Sequence, residues 1–267
     1  MDPILLGGVA FAVAMLFIAL RMPIGFALGG VAFVATFVLY AWPEGKAFDA
    51  DAAVRPTLRL VSSSSFSFVH SYELSLVPLY IALGAIAFRT GITTDIYHAV
   101  RVWLARVPGG LGIASILGCG GFSAITGSSV ACAATFGRIA VPEMLRFGYA
   151  PRFATATVAT GGTLGSLIPP SVPFVIYGIF AEQSISKLFL AGVLPGILSM
   201  LAYIVVVIWW ARARPQDVPS PGLRFTRRDN LAAMLKAWPA ALLFLIIVVG
   251  IYGGIFTATE AAAVSVA

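Results

Sequence analysis

The residues best placed to do chemistry in this sequence are two interruptions of apolar stretches, Gly127-Ser128-Ser129 and Gly165-Ser166-Leu167-Ile168-Pro169-Pro170-Ser171. Neither pairs a nucleophile with a base. What both offer is oxygen. Pro169 and Pro170 lack amide donors, so the carbonyls one turn earlier, around Gly165 and Ser166, lose their helical partners and become available as ligands. Ser128 and Ser129 add hydroxyl oxygens, and such ligands suit a hard cation. In hydrocarbon an unpaired backbone group is costly, so a break at membrane depth persists only where protein buries it or water reaches it. Transport proteins use such breaks in one way: freed carbonyls and helix C-terminal ends hold a cation, and helix N-terminal ends face an anionic solute. Kinks and small residues that serve only close packing are the alternative, and Gly161-Gly162 just upstream reads equally well either way.

The elements that position these breaks are membrane helices. Of 267 residues 60% are apolar and 10% charged, against about 45–50% and about 25% in soluble domains. Spans need about 20 apolar residues each, and such stretches recur along the chain. Residues 4–20 and 24–40 form a helical pair interrupted at Arg21-Met22-Pro23. Met1-Asp2-Pro3 begins with an acid rather than a basic region, so the first stretch reads as a mature helix and not a cleavable signal. Residues 42–72, with the Ser62-Ser63-Ser64-Ser65 run, read as an external loop with an interfacial helix. Residues 74–88 cross inward. Residues 93–106 are amphipathic, with Ile96, Val100, Trp103 and Leu104 on one face, and are expected on the cytoplasmic surface.

Residues 110–126 and 130–141 are each short for a bilayer and are joined by the Gly-Ser-Ser turn, which predicts a re-entrant hairpin over 109–142. Residues 153–164 and 172–180 are two short pieces of one broken span. Residues 188–210 are an uninterrupted span, residues 215–230 a loop rich in proline and charge, and a last clear helix follows from Ala240. The chain stops at Ala267 inside an apolar run, which reads as a truncation.

Sorting Lys and Arg by loop separates them. Arg21, the basic residues from Arg89 to Arg106, those from Arg138 to Arg152 and those from Arg212 to Lys236 fall on one side; only Lys46, Arg55, Arg59 and Lys187 fall on the other. The positive-inside rule then puts Met1 outside and the 211–236 loop in the cytoplasm, provided that 109–142 enters and leaves on one side. The net charge of +6 is scattered between spans, which suits an anionic membrane face and not nucleic acid. No phosphate-binding Gly-x-x-x-x-Gly-Lys-Ser/Thr loop is present, which argues against an ATP-driven pump. His70 and His98 fall in predicted surface segments, away from Ser128, which argues against an intramembrane serine hydrolase. Cys119 and Cys132 stand among small apolar residues as two buried thiols or, in principle, a bridge. Glu260 is either an intramembrane carboxylate or the start of the final helix.

Four segments resemble the large membrane subunit of tripartite ATP-independent periplasmic (TRAP) transporters, the DctM-like proteins. They are Phe122-Ser123-Ala124-Ile125-Thr126-Gly127-Ser128-Ser129-Val130-Ala131, Gly165-Ser166-Leu167-Ile168-Pro169-Pro170-Ser171, Leu190-Ala191-Gly192-Val193-Leu194-Pro195-Gly196 and Gly254-Ile255-Phe256-Thr257-Ala258-Thr259-Glu260-Ala261-Ala262. Cys132 stands where the family often has an acidic or polar residue, and Ala258 where it often has proline.

The resemblance implies an all-α polytopic fold, one half of an inverted-repeat, elevator-type sodium symporter. Residues 1–72 would be scaffold helices and an external loop, 73–108 an inward-crossing helix and cytoplasmic arm, 109–186 the transport-domain hairpin and broken helix, and 187–267 further scaffold helices ending before the second repeat. The implied sodium ligands are Ser128, Ser129, Gly165, Ile168 and Pro170. Ser123, Thr126, Gly127, Ser166 and Ser171 are further candidates for substrate or cation contact. Sodium is the coupling ion, and no other cofactor is expected. The implied partners are a small membrane subunit, a periplasmic solute-binding protein, the bacterial inner-membrane bilayer and a small organic acid. A channel or a non-transporting structural subunit is the alternative, because channels also use broken backbone near the midplane.

Overall fold

The computed structural model describes residues 2–43, 45, 47–105, 107–219 and 227–267. Lys46, Arg106 and Arg224 of the sorted charges, Met1, and residues 220–226 of the 215–230 loop lie outside the described residues. Every regular element among those described is helical, as a chain without water to bond its amides requires. Two compact units divide at Ser71 and Tyr72.

The first unit holds α1 (Pro3–Ala19), α2 (Ile24–Ala41) and α3 (Ala50–Val69). Asp2 caps α1 by accepting the Ile4 amide at 2.9 Å, and Pro3 occupies the first turn, where its missing donor costs nothing. Arg21 takes a left-handed φ of 67°, and Pro23 stands at the N-cap of α2, one position before its first turn. The helix expected within 42–72 is α3, which runs for 20 residues straight through the serine run. The hydroxyls of Ser62 and Ser63 donate back to the carbonyls of Arg59 and Leu60, so these serines turn their polarity onto their own helix.

The second unit begins with a short 3-10 turn at Tyr72–Ser75 that leads into α4 (Leu76–Arg89), and α5 (Ile92–Leu104) follows. The buried face of α5 is set by Thr93, Ile96, Tyr97, Ala99 and Val102, and Trp103, one helical repeat beyond Ile96 on the same side, is 58% exposed. Next come α6 (Gly110–Thr126), α7 (Ser129–Arg146), α8 (Pro151–Gly162), a 3-10 turn at Thr163–Ser166, α9 (Val172–Phe180) and α10 (Ile185–Ala213). The 29 residues of α10 reach about 44 Å, longer than a hydrocarbon layer of about 30 Å. The chain closes with α11 (Arg227–Lys236), α12 (Trp238–Tyr252) and α13 (Ala258–Val266).

Among the described residues three helical stretches are long and apolar enough to cross a bilayer, Ile24–Ala41, Tyr72–Arg89 and Ile185–Ala213. A fourth is added if Arg228–Lys236 and Trp238–Tyr252, bent by 49°, make one span.

The core of the second unit forms around α6, where nearly every residue is buried. Phe136 of α7 meets Tyr97 edge-on, with centroids 6.1 Å apart, and Phe122 at 6.0 Å, which joins α5, α6 and α7. Arg101 and Glu143 form an ion pair between α5 and α7. That pair and the fully buried Met144 follow Pro142 directly, and α7 continues past the proline where sequence suggested an end at Val141. These contacts just after the proline offset its lost helical bond. Glu260 is no isolated intramembrane acid. It is the third residue of α13, accepting from the Thr257 amide and hydroxyl while Thr257 caps the Glu260 amide.

Candidate functional site

The hairpin turn takes two residues. Gly127 ends α6 in a left-handed conformation, φ 62°, and its N–H donates to the Ser123 carbonyl at 2.9 Å. Ser128 returns to extended backbone and caps α7, its hydroxyl oxygen accepting from the Ala131 amide at 3.2 Å. The C-terminus of α6 and the N-terminus of α7 therefore meet at one point, a negative and a positive dipole end side by side.

The second break opens more slowly. After α8 the chain tightens into the 3-10 turn, and the Leu164 carbonyl takes both the Leu167 amide at 3.0 Å and the Ile168 amide at 2.8 Å. Pro169 and Pro170, joined by a cis peptide bond, then supply no donors. Among the described residues the carbonyls of Gly165, Leu167, Ile168, Pro169 and Pro170 accept no hydrogen bond. The Ser166 carbonyl is occupied, because the Ser171 hydroxyl reaches back to it at 2.8 Å. Ser166, expected to offer that oxygen, already accepts one hydrogen bond there from the buried Ser171 side chain.

The two breaks abut. A Cβ on Gly165 would lie 2.7 Å from the carbonyl carbon of Ser128 and from the amide of Ser129, and one on Gly127 would lie 2.5 Å from the Pro170 oxygen. A bond from the Val172 amide to the Gly127 carbonyl, 3.0 Å, pins the hairpin tip to the start of α9. Ser128, Ser129, Gly127, Gly165 and Pro170 thus share one junction. Ser128 and Ser129 are partly exposed, so the junction is reachable.

The other named residues stand around this junction. Ile168 turns its side chain toward α10, where a Cβ on Gly196 would be 2.9 Å from its Cγ1. Thr126 donates its hydroxyl to Phe122 at 3.1 Å, and its methyl fills the space over Gly84 of α4. Ser123 is fully buried, with no partner for its hydroxyl among the described residues. Gly192 and Gly196, four residues apart on α10, let Leu167 and Ile168 lie against bare helix; a Cβ on Gly192 would be 2.8 Å from the Leu167 oxygen. Sequence quoted both glycines but gave them no role, and their small-xxx-small spacing was the available signal.

A cavity of about 660 Å³ flanks the break, lined by Gly120, Gly121, Pro169, Met200, Phe244 and Tyr252 among others. Its walls are apolar, and it has no charged group to receive an anion. The ligand chemistry is concentrated at the junction.

Taken together, these features define a polytopic membrane protein built around a helical hairpin whose tip is set against a broken helix. The profile of the family described as "Tripartite ATP-independent periplasmic transporter, DctM component" matches residues 11–267, and the chain belongs to that family of transporters, which are not enzymes. It is 36% identical over 262 residues to the isethionate TRAP transporter permease protein DctMQ of Oleidesulfovibrio alaskensis, covering 96% of this chain and 38% of that protein. It is 39% identical over 209 residues to the C4-dicarboxylate TRAP transporter large permease protein DctM of Pseudomonas aeruginosa, covering 78% and 48%. Against the sialic acid TRAP transporter large permease protein SiaM of Vibrio cholerae it is 34% identical over 198 residues, covering 74% and 45%. The chain spans about half the length of the curated relatives it matches, and less of the first.

Proposed function

We propose that this chain forms the cation-binding half of a membrane subunit that couples sodium entry to uptake of a small organic acid. The observation that carries the proposal is the junction itself, where the free carbonyls of Gly165 and Pro170 stand beside the tip at Ser128 and Ser129. Carbonyl and hydroxyl oxygens fit a hard monovalent cation, and the two converging helix C-terminal ends add negative potential. Ser128, Ser129, Gly165 and Pro170 would hold the ion, and Ile168 would contribute its carbonyl. The N-terminal ends of α7 and α9 are positive and face the same junction, which suits a carboxylate or sulfonate on the solute. The names of the relatives, which transport isethionate, C4-dicarboxylates and sialic acid, agree with an anionic solute.

In this reading the hairpin and broken helix move as one body in an elevator mechanism, with sodium loading fixing the junction in the form that accepts the acid. A small membrane subunit and a periplasmic solute-binding protein complete the transporter. It sits in the bacterial inner membrane with Met1 in the periplasm, as the charge sorting supports. The test is uptake into proteoliposomes holding the full-length membrane subunits, with the solute-binding protein outside. The proposal expects saturable uptake that follows an inward sodium gradient and fails when potassium replaces sodium. Non-saturating flux, indifferent to the cation, would instead indicate a pore.

A further inference from the structure

The apolar cavity beside the break suits a different ligand from the junction. Its lining residues all belong to the second unit. Two successive glycines, Gly120 and Gly121, leave α6 bare on one wall, Pro169 and Pro170 close another, and α12 runs along the space from Ala240 to Tyr252. Among the described residues that line it, Tyr252 is the one whose side chain carries an oxygen or nitrogen. A space without polar partners stays dry, and an organic acid entering it would give up its hydration for no donor. Hydrocarbon gives up nothing. Leu190 and Ile197 of α10 and Phe244 of α12 line the cavity and are also exposed, so it opens sideways onto the apolar outer surface of the α10 span, which faces acyl chains in a bilayer. The dimensions fit one such chain. The volume is about 660 Å³, and from Ala240 to Tyr252 the space follows α12 for about 18 Å, close to the roughly 15 Å of hydrocarbon in one leaflet. The end at Ala240 carries a polar mark as well. Lys236 and Trp238, both exposed, flank the 49° corner between α11 and α12, and a cation beside an indole is the pairing found at headgroup level. Ala233 of α11 packs on Ala99 and Val102 of α5, whose Ile96 also lines the cavity, so the corner is held beside it.

We propose that this cavity is a phospholipid site, in which one acyl chain lies along α12 against the break and the phosphate is held by Lys236 beside the Trp238 ring. The chain enters from the bilayer between α10 and α12, and its binding is driven by apolar burial along the cavity, with the ammonium–phosphate contact fixing its direction. A chain in place covers Pro169 and Pro170 from the cavity and keeps water away from the break on that side.

The test depends on neither sodium nor uptake. Full-length protein is reconstituted in vesicles of phosphatidylethanolamine and phosphatidylglycerol that carry a phospholipid with a photoactivatable diazirine midway along one chain. After illumination, labelled peptides are mapped by mass spectrometry. The proposal expects label concentrated on the cavity residues of α6 and α12, above that on Leu198 and Leu201, which are exposed on α10 outside the cavity. In Gly121→Leu the new Cβ meets only Ile96, at an ordinary 3.5 Å, so the side chain extends into the cavity and the label there is lost. Ala241→Leu gives the same loss from the α12 wall and covers the case in which the first variant fails to insert. Lys236→Glu lowers cavity labelling by repelling the phosphate, and Lys236→Arg keeps it. Cavity label no denser than that on Leu198 and Leu201, or label that survives both fillings and the charge reversal, overturns the proposal. So does a cavity that takes no label because another segment of the full-length protein fills it.

Discussion

At the hairpin tip the chain reverses within Gly127 and Ser128, and the turn satisfies itself. Its amide bonds Ser123, its carbonyl takes the Val172 amide, and the Ser128 hydroxyl caps α7. At the broken helix the chain advances through a 3-10 turn and two prolines, and most of the carbonyls between Gly165 and Pro170 are left without donors. Both interruptions sit in apolar sequence and both hold glycine and serine, yet one ends as a closed turn and the other as an open row of acceptors. The difference comes from proline. A glycine turn frees the chain to reverse without removing donors, whereas Pro169-Pro170 removes two in succession. In the proposed cation site, ligand capacity would therefore belong mainly to the broken helix, with the tip as its clamp, adding hydroxyls and holding the distance.

That division of labour can be broken most severely at the clamp. Gly165→Val places side-chain carbon against the Ser128 and Ser129 backbone, which cannot yield as a flexible side chain would. Uptake should be abolished and stability lowered by about 1–3 kcal/mol, read from thermal unfolding of purified protein. Gly137→Ala on α7, where a Cβ meets nothing within 4 Å, is the matched control and should retain activity. Pro170→Ala comes next. It restores a donor inside the row of acceptors, so most sodium-dependent uptake should disappear while the amount of membrane-inserted protein holds. Wild-type uptake in that variant would reduce the prolines to a kink.

Ser129→Ala removes one tip hydroxyl and should raise the sodium concentration for half-maximal uptake by roughly three- to tenfold, the worth of one hydrogen-bond-sized interaction. The smallest effect belongs outside both breaks. Burial favours the neutral form of the Asp217 carboxyl, but hydrogen bonds from Arg152 and Trp210 and the charges of Arg152 and Arg214 outweigh it and hold its pKa below the usual carboxylate range. A lowered folded pKa contributes stability above the unfolded value, about 3.9, and that contribution is lost as pH falls through the folded value. Asp217→Asn should lower thermal stability at neutral pH, flatten its acid dependence in that range and leave sodium activation unchanged. A shifted sodium response would tie this ion pair to the junction.

Much of this was legible along the sequence because it follows from single residues. Prolines without donors and a Gly-Ser-Ser turn between two short apolar runs located both breaks, and residues 110–126 match α6 end to end. What could not be read depends on contacts made only after folding. Ser171 takes the Ser166 carbonyl, a pairing five residues apart across irregular backbone that no periodicity announces. α7 outlasts Pro142 because Glu143 and Met144 find partners on other helices. Trp103 lies seven residues beyond Ile96 on the same side of α5, yet it is left exposed while Ile96, Tyr97 and Val102 are buried. The Thr257–Glu260 cap was within reach of sequence, since Thr-x-x-Glu before an apolar run is its signature.

The central claim is that oxygens at the junction of tip and broken helix hold sodium. It is tested most directly by the thermal shift that sodium gives the purified full-length protein, compared between the wild type and Pro170→Ala, with potassium as the ionic-strength control. A ligand that binds only the folded state raises its unfolding temperature, so the account predicts a sodium-specific rise that shrinks in the variant. Equal shifts in sodium and potassium, or a sodium shift of the same size in Pro170→Ala, would contradict it.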